Sequence, residues 1–309
     1  MNGATPAYAL PAAAAVDELR TLRDLVRFGT TAMAQAGVAC GHGFPDPATE
    51  STVLAAWVLG LPPGDLDRHL DARLLRTERE TLVRLLRRRV EERVPLPYLT
   101  GEAWLGDFRF RVDPRVLIPR SFIADLVLEG LAPWVADPGS VADALDLCTG
   151  SGCLAVLVAH VFPNARVDAV DLSPDALAVA SLNVADHGLE SRVRLVHSDL
   201  FGALAGHRYH LVVSNPPYVD ADAMAALPAE YRHEPAMALA AGDDGLDLVR
   251  RLLSSAADHL HPGGLLVVEV GHHREAVESL WPRLPFTWLE THAGDGFVFL
   301  LTREQLTRA

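Results

Sequence analysis

The sequence predicts an α/β protein with a small all-helical N-terminal domain, a connecting β-hairpin and a doubly wound, mostly parallel β-sheet that ends in antiparallel strands. Three observations predict this class. Apolar residues recur at helical spacing up to about residue 94, short apolar strands alternate with helices from about residue 142, and two strands joined by a tight turn close the chain. Strands as apolar as residues 265–270 suit a sheet that helices cover on both faces.

Residues 1–94 are expected to form an all-helical N-terminal domain of four or five helices, because Leu82, Leu85, Leu86 and Val90 recur at intervals of three and four. The last helix also carries a run of arginines, at Arg84, Arg87, Arg88, Arg89 and Arg93. The favoured interpretation is a solvated helix face whose arginines pair with nearby glutamates. The alternative is a patch that meets RNA or a ribonucleoprotein.

Residues 95–120 are predicted to form a β-hairpin that links the two domains. Pro95 ends the preceding helix. Phe108 and Phe110 then alternate with Arg109, and a turn is expected near residues 105–106, which is the pattern of paired strands.

Residues 121–309 are predicted to form the α/β domain, beginning with a helix at about 121–134. Strands are then expected at 142–147, 166–171, 192–197, 209–214 and 264–270, and helices at about 152–162, 174–187 and 246–260. Two closing strands, 286–292 and 296–302, must be antiparallel because the turn between them, Ala293 to Gly296, is short.

A glycine-rich loop follows the first strand of this domain and opens a helix. Residues 146–155 read Asp-Leu-Cys-Thr-Gly-Ser-Gly-Cys-Leu-Ala, and Gly150 and Gly152 allow a sharp turn and the close approach of a ligand. Their spacing to Ala155 also fits the dinucleotide fingerprint, so an NAD-dependent oxidoreductase is one alternative. A plain turn between strand and helix is another.

Two acids follow the next two strands. Asp171 ends the second strand, 19 positions after Gly152, where a carboxylate can accept hydrogen bonds from a ribose diol. Asp199 follows the third strand, where it can accept from an adenine amino group while Leu200 or Phe201 covers the ring. The alternatives are a plain loop acid at Asp171 and a turn cap at Asp199.

The residues Asn215-Pro216-Pro217-Tyr218 follow the strand at 209–214 and carry the most specific chemistry. Two prolines remove two main-chain donors and stiffen the loop. The acceptors that remain are the Asn215 side-chain carbonyl and the Pro216 main-chain carbonyl, beside the Tyr218 ring. This set suits a planar NH2 group that is held by its two hydrogens while its π-system stacks on the ring.

Together these motifs resemble the class I S-adenosylmethionine-dependent methyltransferases, and the fuller pattern resembles the bacterial N5-glutamine methyltransferases. That pattern adds residues 97–101, 116–120, 231–235 and 241–246. The resemblance implies a Rossmann-like fold, with S-adenosyl-L-methionine as cofactor and S-adenosyl-L-homocysteine as product. It implies cofactor contacts from Asp146, Cys148, Thr149, Gly150, Ser151, Gly152, Asp171, Leu172, Asp199, Leu200 and Asn215. It implies a catalytic and substrate-binding loop formed by Asn215, Pro216, Pro217 and Tyr218, with no dedicated general base.

This family has two main branches, which act on ribosomal protein uL3 or on peptide-chain release factors. Ser121, Cys148 and residues 231–235 resemble the uL3 branch, so uL3, free or in a pre-ribosomal particle, is the expected substrate and release factors are the alternative. Phe122, where a small residue or proline is usual, and Asp125, where glutamate is usual, depart from the pattern near the expected entrance to the site.

Composition narrows the remaining choices. With 27 basic and 40 acidic residues the formal net charge is −13, which counts against coating of nucleic acid and against the rival methylation of DNA or RNA bases. The three cysteines suit a reducing compartment, and no closely spaced ligand set predicts a metal. Without an apolar span or a signal pattern, the protein is expected to be cytoplasmic, with no membrane partner and no stable DNA binding. A non-catalytic ribosome-associated module is the last alternative.

Overall fold

A computed structural model describes residues 8–292 and 294–308. The first seven residues of the predicted N-terminal domain, Ala293 in the predicted last turn and Ala309 lie outside the described residues. The chain divides into two units. One comprises residues 1–102 together with 227–233, and the other comprises 103–226 and 234–309. This division differs from the predicted boundaries at 94 and 120, because residues 96–100 form a short helix whose Leu96 and Leu99 pack in the core of the helical unit, and the segment 227–233 returns to that unit. The prediction of a hairpin over 95–120 was therefore too long, since the paired strands lie within residues 102–111.

The helical unit contains the predicted N-terminal helices, and their ends follow local sequence. Asp46 accepts hydrogen bonds from the main-chain N–H groups of Ala48 and Thr49, and Gly60 ends that helix in the left-handed conformation. The helices are α1 (Ala12–Glu18), α2 (Leu22–Gln35), α3 (Pro47–Leu59), α4 (Arg76–Glu91) and α5 (Leu96–Thr100), with a 3-10 helix at Pro63–His69.

The arginines of α4 lie in different environments, whereas the solvated-face interpretation requires all of them to be exposed. The pairs Arg87–Glu91 (2.7 Å) and Arg88–Glu92 (3.2 Å) lie on the exposed side as expected. Arg89, however, is only 1% exposed, and its guanidinium pairs with the buried Glu50. The prediction was wrong for Arg89 because it follows Leu82 and Leu86 at helical spacing on the apolar stripe of α4.

The returning segment 227–233 joins this buried charge cluster. Glu230 accepts a hydrogen bond from the main-chain N–H of Ala39 (3.1 Å) and lies 3.3 Å from the Arg93 guanidinium and 3.5 Å from that of Arg89. The segment is therefore fixed within the helical unit by charge as well as by packing.

The α/β unit contains a two-stranded hairpin, β1 (Glu102–Leu105, whose first residue belongs to the helical unit) and β2 (Phe108–Arg111), and a seven-stranded sheet. The strands of the sheet are β3 (Asp143–Leu147), β4 (Arg166–Asp171), β5 (Val193–His197), β6 (Tyr209–Ser214), β7 (Leu260–Glu269), β8 (Thr287–Thr291) and β9 (Gly294–Thr302). Their order is β5-β4-β3-β6-β7-β9-β8, parallel from β5 to β7 and antiparallel for the last two pairs. The predicted mostly parallel, doubly wound sheet with antiparallel closing strands is confirmed.

The helices of this unit are α6 (Ile123–Leu128), α7 (Cys153–Val161), α8 (Pro174–Asp186), α9 (Ala221–Ala226), α10 (Asp247–Ala256), α11 (Arg274–Leu280) and α12 (Arg303–Thr307). The helix expected at 121–134 is shorter than predicted, because Gly130 and Leu131 adopt positive φ and stop it. Among the described residues no helix combines the length and the apolar character that crossing a bilayer requires.

The strand order creates one crevice at the carboxyl edge of the sheet. The chain runs outward from β3 through β4 to β5, and then returns to pair β6 on the other side of β3. At such a switch point the connections leave β3 and β6 in opposite directions and open a space above their carboxyl ends. The predicted functional loops all follow the carboxyl ends of β3, β4, β5 and β6.

Candidate active site

A cleft that is partly open to solvent lies at this crevice. Predicted site residues in its wall are Cys148, Gly150, Asp171, Leu172, Asp199, Leu200, Asn215 and Pro217. The structure thus brings together residues from four separate loops. The predicted residues Asp146, Thr149, Ser151, Gly152, Pro216 and Tyr218 lie next to this wall but do not line it.

The glycine-rich loop turns sharply from β3 into α7. Cys148, Gly150 and Gly152 all have positive φ values, of 61°, 55° and 79°. A Cβ on Gly152 would lie 3.1 Å from the Cβ of Ala180, so glycine there allows α8 to approach. A Cβ on Gly150 would meet no atom within 4 Å, so the backbone at that position borders open space.

The buried Asp146 side chain stabilises this loop through hydrogen bonds. Its Oδ2 accepts hydrogen bonds from the Thr149 hydroxyl (2.5 Å) and from the main-chain N–H of Ala155 (3.0 Å), while its Oδ1 has no partner within the described residues. Burial raises the pKa of the Asp146 carboxyl to about 7. Asp146 therefore fixes both the turn and the start of α7.

Asp171 connects the ends of β3 and β4. One of its carboxylate oxygens accepts from the Gly150 N–H (2.8 Å) and the other from the Ser173 N–H (2.8 Å). Burial raises the pKa of Asp171, and the two main-chain donors oppose that shift. Each oxygen keeps a second lone pair, and the adjacent Leu172 side chain stays more than half exposed in the cleft wall.

Asp199 has a partner that the sequence did not indicate. Its Oδ2 lies 2.7 Å from the guanidinium of Arg251 on α10, and both side chains are about half exposed. The turn cap considered for Asp199 is supplied by Ser198, whose hydroxyl accepts from the Ala203 N–H at 2.9 Å. Leu200, at a φ of 47°, is buried against the cleft.

The loop that follows β6 is rigid at both ends. The Ser214 hydroxyl donates to the main-chain carbonyl of Leu147 (2.9 Å), which ties the start of the loop to β3. Pro216 and Pro217 are buried. Asn215 is half-buried in the cleft wall, and across residues 8–292 and 294–308 its side chain has no hydrogen-bond partner.

Tyr218 is held by a buried network at the end of β7. Its hydroxyl donates to Glu269 Oε1 (3.0 Å), and Glu269 Oε2 accepts from the Ser121 hydroxyl (2.6 Å) and the Phe122 N–H (2.9 Å). Burial raises the pKa of Glu269, and these three donors oppose that shift. A Cβ on Gly271 would lie 2.7 Å from the Tyr218 ring, so glycine is required there for the ring to pack.

Two of the sequence motifs are joined by a second pair of side chains. The Arg120 guanidinium contacts both carboxylate oxygens of the buried Glu234, at 2.6 and 2.8 Å, and Glu234 also accepts from the Ile118 N–H at 3.0 Å. These contacts hold residues 115–117 and 235–238, which both line the cleft.

Sequence reasoning missed Glu269, Arg251 and the Arg120–Glu234 pair. The signal for Glu269 was its position as the one acid in an otherwise apolar strand. Nothing local in the sequence indicates the Asp199–Arg251 pair, because it depends on how α10 packs.

The expectation of no metal rested on histidines that are close in sequence. The structure instead brings Asp143, His210 and His261 together, with ligand atoms within 4.8 Å of one another, away from the cleft. Spacings of 67 and 51 positions gave the sequence no means of indicating this group.

Comparisons with known proteins cover both units. The family described as Methyltransferase small domain matches residues 129–230, and the PrmC N-terminal domain matches residues 24–101. The chain is 53% identical to the ribosomal protein uL3 glutamine methyltransferase of Neisseria meningitidis serogroup B, over 94% of this chain and 96% of that protein. It is 54% identical to the protein of that name from Bordetella pertussis (94% and 97% covered) and 46% identical to that from Xanthomonas campestris (95% and 95%). The chain belongs to the ribosomal protein uL3 glutamine methyltransferase family.

Proposed function

We propose that this protein transfers a methyl group from S-adenosylmethionine to the side-chain nitrogen of a glutamine in ribosomal protein uL3. One observation carries the proposal. The Asn215 carboxamide stands in the cleft wall without a hydrogen-bond partner among the described residues, on a loop that two prolines and the Ser214 hydroxyl make rigid. A half-buried carboxamide of this kind is suited to a ligand that brings its own amide.

The cleft fits the proposed cofactor. Asp171 retains lone pairs for ribose hydroxyls, and the open space at Gly150 admits a ligand close to the backbone. Leu172 and Leu200 offer apolar walls for a planar base, and Asp199 offers an acceptor for its amino group. When bound, S-adenosylmethionine supplies an electrophilic sulfonium methyl group.

The buried part of the glycine loop gives this side of the cleft its shape. Asp146 and Thr149 hold the turn, and Gly152 allows α8 to pack against it. The main-chain carbonyl of Ser151 accepts from Asn183 on α8 at 2.8 Å. We propose that these residues give the cofactor site its shape and that Cys148 lines its wall. Membership in a methyltransferase family decides against the oxidoreductase alternative.

The chemical task falls on the loop after β6. An amide nitrogen is a weak nucleophile because its lone pair is delocalised into the carbonyl. Asn215 Oδ1 and the Pro216 carbonyl oxygen accept the two N–H groups of the substrate amide, which fixes the nitrogen and stabilises the positive charge that develops on it. Fixing the geometry supplies several kcal/mol of the barrier, up to about 7–11 kcal/mol in ideal cases. The amide proton then leaves to water, and no general base is assigned.

Tyr218 and Pro217 complete the amide site. The Tyr218 hydroxyl donates to Glu269, which holds the ring in place, and we assign the ring to stacking on the substrate carboxamide. Glu269 acts through Tyr218 and is a positioning residue.

The choice of uL3 rests on the relatives and on charge. Relatives that are 53–54% identical over at least 94% of this chain are named for that substrate. The net charge of −13 favours association with a basic protein over nucleic acid, since opposite charges steer encounter. We assign recognition of the substrate protein to the helical unit.

The test is a methylation assay with purified components. The protein is incubated with labelled S-adenosylmethionine and, separately, with uL3, a release factor and ribosomal RNA from the same source. We expect uL3 to gain the mass of one CH2 group on a glutamine-containing peptide, and the Asn215→Ala variant to leave it unmodified. Labelling of the release factor alone would contradict the substrate, and labelling of RNA alone would contradict the chemistry.

A further inference from the structure

Three side chains that can bind a metal meet at the amino edge of the sheet, which is the edge opposite the cleft. Asp143 is the first residue of β3, and His210 and His261 are the second residues of β6 and β7. Asp143 Oδ2 lies 3.7 Å from His210 Nδ1 and 3.9 Å from His261 Nε2. The two imidazole rings lie 4.4 Å apart between centroids.

A bulge in β7 produces this juxtaposition. Tyr209 pairs with Leu260 and Leu211 pairs with Leu265, so the single residue His210 faces the four residues 261–264. A Cβ on Gly264 would lie 2.9 Å from both the His261 and the Tyr209 carbonyl oxygens, so only glycine closes the bulge. The Gly263 N–H donates to Glu304 at 2.9 Å. His261 is thus carried by a structured bulge next to His210.

Across the described residues Asp143 is not paired with an arginine, although Arg166 is its register partner on β4. In the described part of the chain, no arginine lies within ion-pair distance of Asp143, and its neighbours at that range are the two histidines. This contrasts with Asp168 on the neighbouring strand β4, which lies 2.6 Å from Arg194. Asp143, His210 and His261 are all partly exposed, so an ion from solvent can reach them.

We infer that Asp143, His210 and His261 form a binding site for a zinc-like divalent transition metal, with water completing the coordination. Two imidazoles and one carboxylate are a donor set that zinc accepts and that magnesium and calcium do not prefer. Bonds of about 2.0–2.2 Å in a tetrahedron separate ligand atoms by roughly 3.4 Å. The two distances to Asp143, 3.7 and 3.9 Å, exceed this by a few tenths of an ångström, and all three ligand atoms lie within 4.8 Å of one another, so metal binding also requires the two imidazoles to move closer together.

The orientation of the His210 ring agrees with this role. Its Nδ1 faces Asp143 and lies 3.3 Å from the main-chain N–H of that residue, which donates to it. A metal would take the Nδ1 lone pair and leave the Asp143 N–H to water at the exposed edge. The ion would link β3, β6 and β7 without touching the cleft, so its effect is on stability and not on methyl transfer.

The experiment uses the full chain purified without a histidine tag and stripped with a chelator. Zinc binding is measured by titration calorimetry in four variants and the native chain. We expect one zinc per chain, and affinity at least about tenfold weaker in Asp143→Asn and in His261→Ala. The double variant His210→Ala/His261→Ala is expected to lose saturable binding. His207→Ala, an exposed histidine three positions from His210, is the matched control and is expected to bind as the native chain does.

A second measurement separates lost ligands from lost folding. Zinc is expected to raise the melting temperature of the native chain and of His207→Ala, but not of the double variant, whose metal-free melting temperature is compared first. Equal zinc affinity in the double variant, or a native chain without saturable binding, would overturn the inference. Methylation is expected to be unchanged by the chelator, so the two proposals fail independently.

Discussion

Two clusters of buried acidic side chains, one in each unit, are held in different ways. In the helical unit, Glu50 and Glu230 surround the Arg89 guanidinium, so each buried carboxylate faces a positive charge. In the α/β unit, Asp146 and Glu269 are buried to the same degree, but hydroxyl and main-chain N–H groups hold them. An arginine therefore holds Glu50 and Glu230, and Arg120 likewise holds Glu234 of the α/β unit, whereas neutral donors contact Asp146 and Glu269.

The difference separates stability from site organisation. Neutral donors offset burial only in part, and burial accordingly raises the pKa of Asp146 to about 7 and that of Glu269 above its usual value. Both carboxyl groups hold loops that border the cleft. The Arg89 cluster instead joins α3, α4 and the segment 227–233 within the helical unit. We therefore expect mutations of Asp146 and Glu269 to change activity or pH dependence. Mutations in the Arg89 cluster are expected to change the free energy of unfolding.

The largest expected effect comes from breaking the charged cluster. Arg89→Met leaves Glu50 and Glu230 buried without their shared cation, which costs about 3–5 kcal/mol in the free energy of unfolding. Urea unfolding followed by circular dichroism measures it. Arg88→Met is the matched control, since its exposed pair with Glu92 contributes about 0–1 kcal/mol. Equal losses in the two variants would show that the buried Arg89 cluster contributes no more to stability than an exposed ion pair does.

Asn215→Ala tests the opposite case, in which activity falls and stability does not. Removing one of two proposed acceptors is expected to lower methyl transfer by about 100- to 1,000-fold, by analogy with the loss of one electrostatic contact in a preorganised site. Because the side chain has no partner in the described parts of the chain, unfolding is expected to change by less than about 0.5 kcal/mol. Calorimetry should show cofactor affinity within a few-fold of the native value. Retained turnover would refute the assigned role.

The sequence predicted best what is encoded locally. The alternation of strands and helices, the turn at Gly150 and Gly152 and the loop from Asn215 depend on short apolar runs and on residues with special backbone geometry, which can be identified without knowing the fold. The burial of Arg89 could also have been predicted, because its spacing from Leu86 places it on the buried stripe of α4. The run of arginines near glutamates favoured an exposed position for it instead.

What the sequence could not predict is pairing between distant segments. Asp199 with Arg251 and Ser121 with Glu269 depend on which helix or loop packs beside which strand. The His210–His261 contact depends on a register shift of β7, and a slip in register would separate the two rings. Such contacts follow from the assembled sheet, so only their residue types are visible beforehand.

A smaller effect, on the pH dependence of stability, is expected from the titration of Asp146. Its pKa is about 7 in the folded chain and near 3.8 when unfolded, so the folded state binds more protons in between and stability falls as pH rises through that interval. Asp146→Asn removes this dependence. From pH 5 to pH 7, without cofactor, the stability difference between native and variant chains should change by about 2 kcal/mol in favour of the variant. Parallel stability curves would show that Asp146 is not held in this way.

The smallest effect is expected at Glu269, and it distinguishes positioning from simple support. Glu269→Gln keeps the shape of the side chain and allows the Ser121 and Tyr218 hydroxyls to reorient, so stability should change little. Tyr218 then loses a charged acceptor, and kcat is expected to fall by about twofold to tenfold, equivalent to one hydrogen bond, with cofactor KM unchanged. Because burial raises the pKa of Glu269, kcat of the native enzyme should decline as the carboxylate is protonated at a pH above that of an ordinary glutamate. The Gln variant should lack this step, and a step of equal size in both enzymes would assign it to another group.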